Sequence, residues 1–292
     1  MATTTTPSPV LKKPVKLACI QLASGPDKAV NLAHARDKVL EAARDGAKII
    51  TLLPSPPPRD QSPSFHALSA MAAEAKAYLI GGSIPEAAPD SDSDSTASSA
   101  ADQEGDADKK KKKYYNTSLT FGPDGGLLAS HRKVHLFDID IPGKITFRES
   151  DVLSPGNKVT LVDLPEYGRV GLATVAARKG CFALVYPGAF NTTTGPLHWR
   201  LQGQARAMDN QIYVALCSPA RDDAASYRAW GHSLIVDPMA QVLVEAEEAE
   251  TTVCWELDNA KIEETRKNIP LVGQRRFDVY PDISQGKIRF EE

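Results

Sequence analysis

The stretch Arg169–Phe190, RVGLATVAARKGCFALVYPGAF, constrains the fold most. It holds two apolar, strand-like runs, Val170–Val175 and Phe182–Tyr186. Little separates them beyond Ala176, Ala177, Arg178, Lys179 and Gly180. Parallel neighbours in a sheet need a crossover of about a dozen residues or more. This connector is shorter, so the spacing argues against a direct parallel pair.

The chain has 292 residues, 42% of them hydrophobic, enough for a large core in one or two domains. No Pro/Gly linker divides the patterned parts, so the reading is one domain over 14–292 behind a disordered tail at 1–13. The net charge of −3 leaves no electrostatic footprint for nucleic acid. No apolar run reaches the roughly 18 residues of a membrane span. The start, MATTTTPSPVLKK, has no apolar signal region, so a cytoplasmic protein is expected rather than a secreted one; its few Arg weaken a mitochondrial reading and leave it open. Cys19, Cys181, Cys217 and Cys254 each lie in or beside a strand-like run without CxxC spacing. They read as reduced, buried thiols.

In chain order, Lys16–Leu22 reads as a strand and Asp27–Asp45 as an amphipathic helix closed by Gly46. Ala47–Leu53 is a strand buried on both faces, ended by the Pro-rich 54–60 loop. Ser64–Lys76 fits a helix and Tyr78–Ser83 a strand. Glu86–Lys113 is a Ser/Asp/Ala run followed by five lysines, too polar to offset its ordering entropy, and reads as a disordered insert. Strands resume at Tyr114–Phe121 and Leu127–Leu136 across the turn Pro123–Gly126. Further strands are expected at 158–164, 211–217, 231–236, 241–247 and 252–257, with helices at 195–209 and 259–268. This alternation argues α/β.

Three segments carry a resemblance: VYPGAFNTTTGPLHW, SPARDDAASYRAWGHS and HRKVHLFDIDIPGKITFRES. They resemble the carbon–nitrogen hydrolase (nitrilase) superfamily, in its omega-amidase-like branch, over about residues 14–281. The fold this implies is a four-layer α-β-β-α sandwich, usually a homodimer joined through its helical layer, with residues 275–282 running toward the partner. No cofactor or metal is implied. The chemistry implied is hydrolysis of the terminal amide of small dicarboxylic acid monoamides, releasing ammonia. A thiolate attacks, a carboxylate moves the proton and a cation holds the oxyanion.

The resemblance assigns the lysine role to Lys133 in His131–Leu136, on a face shared with His131 and His135. Residue chemistry alone would read Lys133 as a solvated edge lysine. Glu149 matches a second glutamate that positions the lysine and substrate. The general-base position falls on Ser55, a poor base, and Asp60 reads as an exposed loop residue. The nucleophile position falls on Val175, and about three helical turns after it are absent. Cys181 and Cys217 read as structural. Phe190, Thr193 and Thr194 match the substrate loop, where they could hold a small carboxylate at a helix N-terminus or merely cap it. Arg221 and Asp222 read equally as a structural ion pair. His131, His135, His198 and His232 lack metal-ligand spacing.

Two function classes follow. One is an omega-amidase-like hydrolase, for which the missing Glu and Cys are the obstacle. The other is a non-catalytic relative that keeps the fold and a small carboxylate or amide pocket, or partners an active paralogue. An incomplete gene model with a misread exon boundary, or a splice form of an active amidase, would look the same. The missing elbow and helix should leave part of a sheet uncovered and the chain less stable than a full-length relative.

Overall fold

The computed structural model describes residues 9–52, 62–88, 113–143, 145–171, 174–276 and 279. In chain order the elements are β1 (Val15–Gln21), α1 (Lys28–Arg44), β2 (Ile49–Leu52), α2 (Pro63–Ala75), β3 (Tyr78–Gly81), β4 (Ile84–Ala87), β5 (Tyr114–Phe121) and β6 (Leu127–Arg132). There follow β7 (Asp138–Ile141), β8 (Ile145–Arg148), β9 (Leu161–Leu164), β10 (Gly168–Gly171), α3 (Thr174–Arg178), β11 (Cys181–Pro187) and α4 (Gly195–Asn210). The chain closes with β12 (Tyr213–Cys217), β13 (Leu234–Val236), β14 (Val242–Glu245), β15 (Thr251–Leu257), α5 (Asn259–Asn268) and α6 (Leu271–Gln274).

The first sheet has the order β15-β1-β2-β3-β5-β4, with β6 on β5, and the second β14-β13-β12-β11-β10-β9. Strand alternation stacks them. Leu17 and Cys19 of β1 face Tyr213, Ala215 and Cys217 of β12 in a core between the sheets. Ala18 and Ile20 turn the other way and meet Val39 of α1 and Leu68 of α2. Val214 and Leu216 turn outward onto Trp199 and Ala207 of α4. The result is four layers, α-β-β-α, as expected. Among the described residues no helix is long and apolar enough to cross a membrane.

Local chemistry fixes the ends. The Asp27 carboxylate accepts from the Ala29 and Val30 amides at 2.8 and 3.0 Å and caps α1. Gly46, at φ +92°, closes that helix in the left-handed region.

Several expectations are corrected. β10 and β11 are direct parallel neighbours, with Arg169 opposite Cys181 and Gly171 opposite Leu184. The strand expected over 170–175 stops at Gly171, and residues 174–178 form α3 instead. The crossover can be this short because β10 is four residues long, so the chain returns only about 10 Å. Gly171 makes it possible: a Cβ there would lie 2.2 Å from the Ala176 Cβ and 3.2 Å from the Cys181 sulfur. The outer face beside this crossover is partly uncovered, as expected, and the uncovered part is polar. Arg169 and Asp163 pair there at 2.7 Å, and Cys181 and Leu184 are buried beneath the helical layer.

Structure also begins earlier than the expected residue 14. Leu11 is buried, bridges Gly168, and Lys12 N–H donates to the Tyr167 carbonyl at 2.8 Å. The insert is narrower than 86–113. Ile84–Ala87 pairs with β5, and Glu86 is buried against Arg132 at 2.9 Å and Thr117 at 2.5 Å. Residues 89–112 lie outside the described residues, as do 1–8. The strand expected to reach Leu136 ends at Arg132, and the hairpin β7–β8 follows it. Cys254 is exposed, unlike the other three cysteines, because it sits on β15, at the end of its sheet.

Candidate functional site

Lys133 lies one residue past β6, so the alternation that would align it with His131 and His135 ends before it. Its backbone is pinned on both sides: its N–H donates to the Asn116 carbonyl at 2.7 Å, and its carbonyl accepts from Gly156 at 2.8 Å. Its ammonium donates to Glu149 Oε2. Glu149 opens a single 3₁₀ turn, 149–151, and is buried. The same oxygen accepts from the Phe137 N–H at 2.7 Å, and Oε1 accepts from Asn116 Nδ2 at 3.4 Å. The structure therefore joins Lys133 and Glu149, as the sequence motif implied. It adds Asn116 and the Phe137 amide, for which the sequence carried no signal beyond proximity in the hairpin.

A carboxylate with a cation and two further donors is committed to holding Lys133. The lysine side chain stays 36% exposed and can reach a ligand from that anchor.

The loop after β11 forms a second group. Asn191 Oδ1 accepts from the Thr193 and Thr194 amides at 3.0 and 2.9 Å and from the Thr194 hydroxyl at 3.1 Å. Thr194 occupies the cap position of α4 but makes no side-chain cap bond, so capping by Thr193 or Thr194 is not what the structure has. Thr193 is exposed, and the Phe190 ring packs edge-on against Trp199 at 5.2 Å. Tyr227, half exposed, lies against the loop. Its hydroxyl donates to the Ala189 carbonyl at 3.1 Å, and burial together with the Glu149 charge pushes its phenol upward.

Arg221 does not pair with Asp222. Its guanidinium donates to the Trp230 carbonyl at 2.9 Å, lies 4.9 Å over that indole, and is 3.8 Å from Glu248. Asp222 accepts from the Ala224 amide instead. These contacts hold Trp230 against Gly195, where a Cβ would meet the indole at 2.3 Å. A separate cleft of about 640 Å³ is lined by Asp27, His34, Asp222 and Glu250 among others, with His34 and Glu250 at 2.8 Å.

Ser55 and Asp60 lie outside the described residues, as does the side chain of Val175, whose backbone falls in α3. Cys181 is buried at the start of β11, and burial pushes its thiol up to about 12, so it is held neutral and unreactive. Cys217 is also buried. His131 is bonded to Thr160 at 2.9 Å, and burial, then Lys158, lowers it. His232 stacks on Trp230 at 4.2 Å. Among the described residues no group of three His, Cys, Asp or Glu is placed to hold a metal.

The family model for carbon-nitrogen hydrolases matches residues 16–267. The chain belongs to the carbon–nitrogen hydrolase family. It is 46% identical over 288 residues to omega-amidase NIT2 of Mus musculus, covering 91% of this chain and 96% of that relative. It is 42% identical over 307 residues to omega-amidase NIT3 of Saccharomyces cerevisiae, covering 95% and 98%. The crystal structure of Saccharomyces cerevisiae Nit3, a member of branch 10 of the nitrilase superfamily, superposes with a TM-score of 0.75 at 38% identity, covering 92% of this chain and 98% of that one. This carbon–nitrogen hydrolase is therefore omega-amidase-like over nearly its whole length, and its two sheets are those of the superfamily.

Proposed function

We propose that this chain keeps the ligand pocket of an omega-amidase-like hydrolase without its amide-cleaving chemistry. One observation carries the reading: β10 and β11 are joined by residues 172–180 alone, which contain no cysteine. The nucleophile position is Val175 and the base position Ser55. Losing the nucleophile of such a unit alone costs on the order of a million-fold in turnover. Lys133, held by Glu149, supplies a positive site for a small carboxylate or amide, and Phe190, Thr193 and Thr194 are the loop residues proposed to line it.

The test pairs two measurements. Incubation with the monoamide of a small dicarboxylic acid should release no ammonia above the protein-free control. Succinate, used as a probe, should raise the melting temperature, and Lys133→Ala should abolish that shift. Ammonia release at enzyme-like rates overturns the loss of chemistry; an absent succinate shift overturns the pocket. A homodimer through the outer helices fits the same picture, since Leu197, Leu201 and Met208 of α4 are exposed at 66%, 63% and 53%. Sedimentation as a monomer would refute it.

A second reading has its own support. Both departures fall at positions to which the resemblance assigns chemistry, inside a family match that runs over residues 16–267. If the active form carries those blocks, native protein lacks the peptides VGLATVAAR (170–178) and IITLLPSPPPR (49–59). Finding both peptides removes this reading.

A further inference from the structure

The hairpin β7–β8 carries an apolar face that no core absorbs. Its register sets Ile139 opposite Phe147 and Ile141 opposite Ile145. The Glu149 N–H donates to the Phe137 carbonyl at 3.1 Å, which carries the pairing one step further. Directly opposed residues share a face, and so do alternate residues along each strand. Phe137, Ile139, Ile141, Phe147 and Glu149 therefore lie on one face, and Asp138, Asp140 and Arg148 on the other. The Phe137 and Phe147 rings meet at 6.2 Å, as this placement requires. Both are exposed, at 38% and 45%, and neither joins any of the three cores. A two-stranded ribbon is marginal in water unless such a face is packed. At the inner end of the face the buried Glu149 carboxylate holds the Lys133 ammonium and accepts from the Phe137 N–H.

We propose that this face is the second half of the Lys133 site, and that its occupant is the apolar tail of an aromatic monocarboxylate. The inference rests on the reading of Lys133 as a ligand-binding cation and adds the class of ligand. Charge fixes one end: the ammonium, still 36% exposed, takes the carboxylate. The ring pair fixes the other, where an aryl group covers Phe137 and Phe147. Contact between rings adds to the gain from burying their area, which favours an aryl tail over an alkyl one. A dicarboxylate fits less well. Its second charge would lie among the rings, losing water without a partner. Among the described residues of the two strands the cation is Arg148, which lies on the opposite face.

The experiment is calorimetric titration of the full chain with phenylpropionate, propionate and succinate. Phenylpropionate should bind about tenfold more tightly than either of the others, the worth of one good aromatic contact. Phe147→Ala, and separately Phe137→Ala, should remove that gain and leave the succinate affinity unchanged, which also shows that the variants keep the Lys133 site folded. If succinate binds and phenylpropionate gains nothing, or if the gain survives Phe147→Ala, the proposal fails while the reading of Lys133 stands. If none of the three acids binds, the reading of Lys133 fails and the proposal with it. If Phe147→Ala alters the sedimentation of the protein but not its affinity for phenylpropionate, a second copy of the chain covers the rings and the proposal is overturned.

Discussion

Gly171→Ala tests the short crossover directly. The added methyl would sit 2.2 Å from the Ala176 Cβ, whereas carbon atoms rest about 3.5–4.0 Å apart. Ala176 has no side-chain torsion with which to yield, so α3 must move off β10. That movement would lift it from Cys181 and Leu184, with which Ala176 packs. Overpacking of a core costs about 1–3 kcal/mol, and a collision between two fixed groups belongs at the upper end, about 3 kcal/mol. With a urea slope of about 3 kcal/mol per M, the unfolding midpoint should fall by about 1 M. Gly171→Ala combined with Ala176→Gly removes the colliding methyl. It should recover all but about 1 kcal/mol, the helix penalty of glycine. Urea unfolding followed by circular dichroism reads both variants. If Gly171→Ala unfolds within about 0.5 kcal/mol of the parent, or the double variant shows no recovery, α3 does not rest on β10 as described.

His131 predicts a pH dependence. Burial and Lys158 lower its pKa from 6.5, so the unfolded chain binds the proton more readily. Its contribution is present above pH 6.5 and is lost as pH falls from there through the lowered folded value; His131→Asn should flatten stability over that window, and an unchanged slope would contradict the burial. Native labelling with iodoacetamide at pH 8 should modify Cys254 promptly and Cys181 only after unfolding, since Cys254 is exposed and burial pushes Cys181 up to about 12. Equal labelling of the two would show that β11 does not bury its first residue.

Most of the frame was legible because it is written in periodicity. The inward residues of β1 and β12 alternate with outward ones, and Asp27 and Gly46 bracket α1 at their expected places. The crossover was misread because the dozen-residue rule assumes strands of ordinary length, and β10 has four residues. Glu86 was assigned to a polar insert, since a lone glutamate beside Ala/Pro/Asp carries no sign of burial; its partner Arg132 lies 46 residues away. The hairpin β7–β8 is missed for a similar reason: it forms a separate two-stranded sheet, and Phe147 in it and Phe137 just before it stay exposed rather than feeding a core. Lys133 and Glu149 were readable as a motif, but Asn116 was not, because its role depends on β5 passing beside the end of β6.

The division between frame and chemistry follows from where each is stored. The three cores draw on strand interiors and helix faces, so they are set by many interchangeable apolar residues. Lys133 lies just after β6, and in the proposed reading the base and nucleophile positions, 55 and 175, follow β2 and β10. A change confined to those ends leaves the packed layers intact, provided the chain can still pass from one strand to the next. Here that proviso rests on Gly171 and a five-residue helix. Lys133 survives as a bound cation because its anchors belong to the frame: the Asn116 carbonyl and the buried Glu149 remain whether or not a nucleophile faces them. On the proposed reading such a site still attracts and orients a small anion, whereas bond cleavage needs groups that this chain does not place at those strand ends.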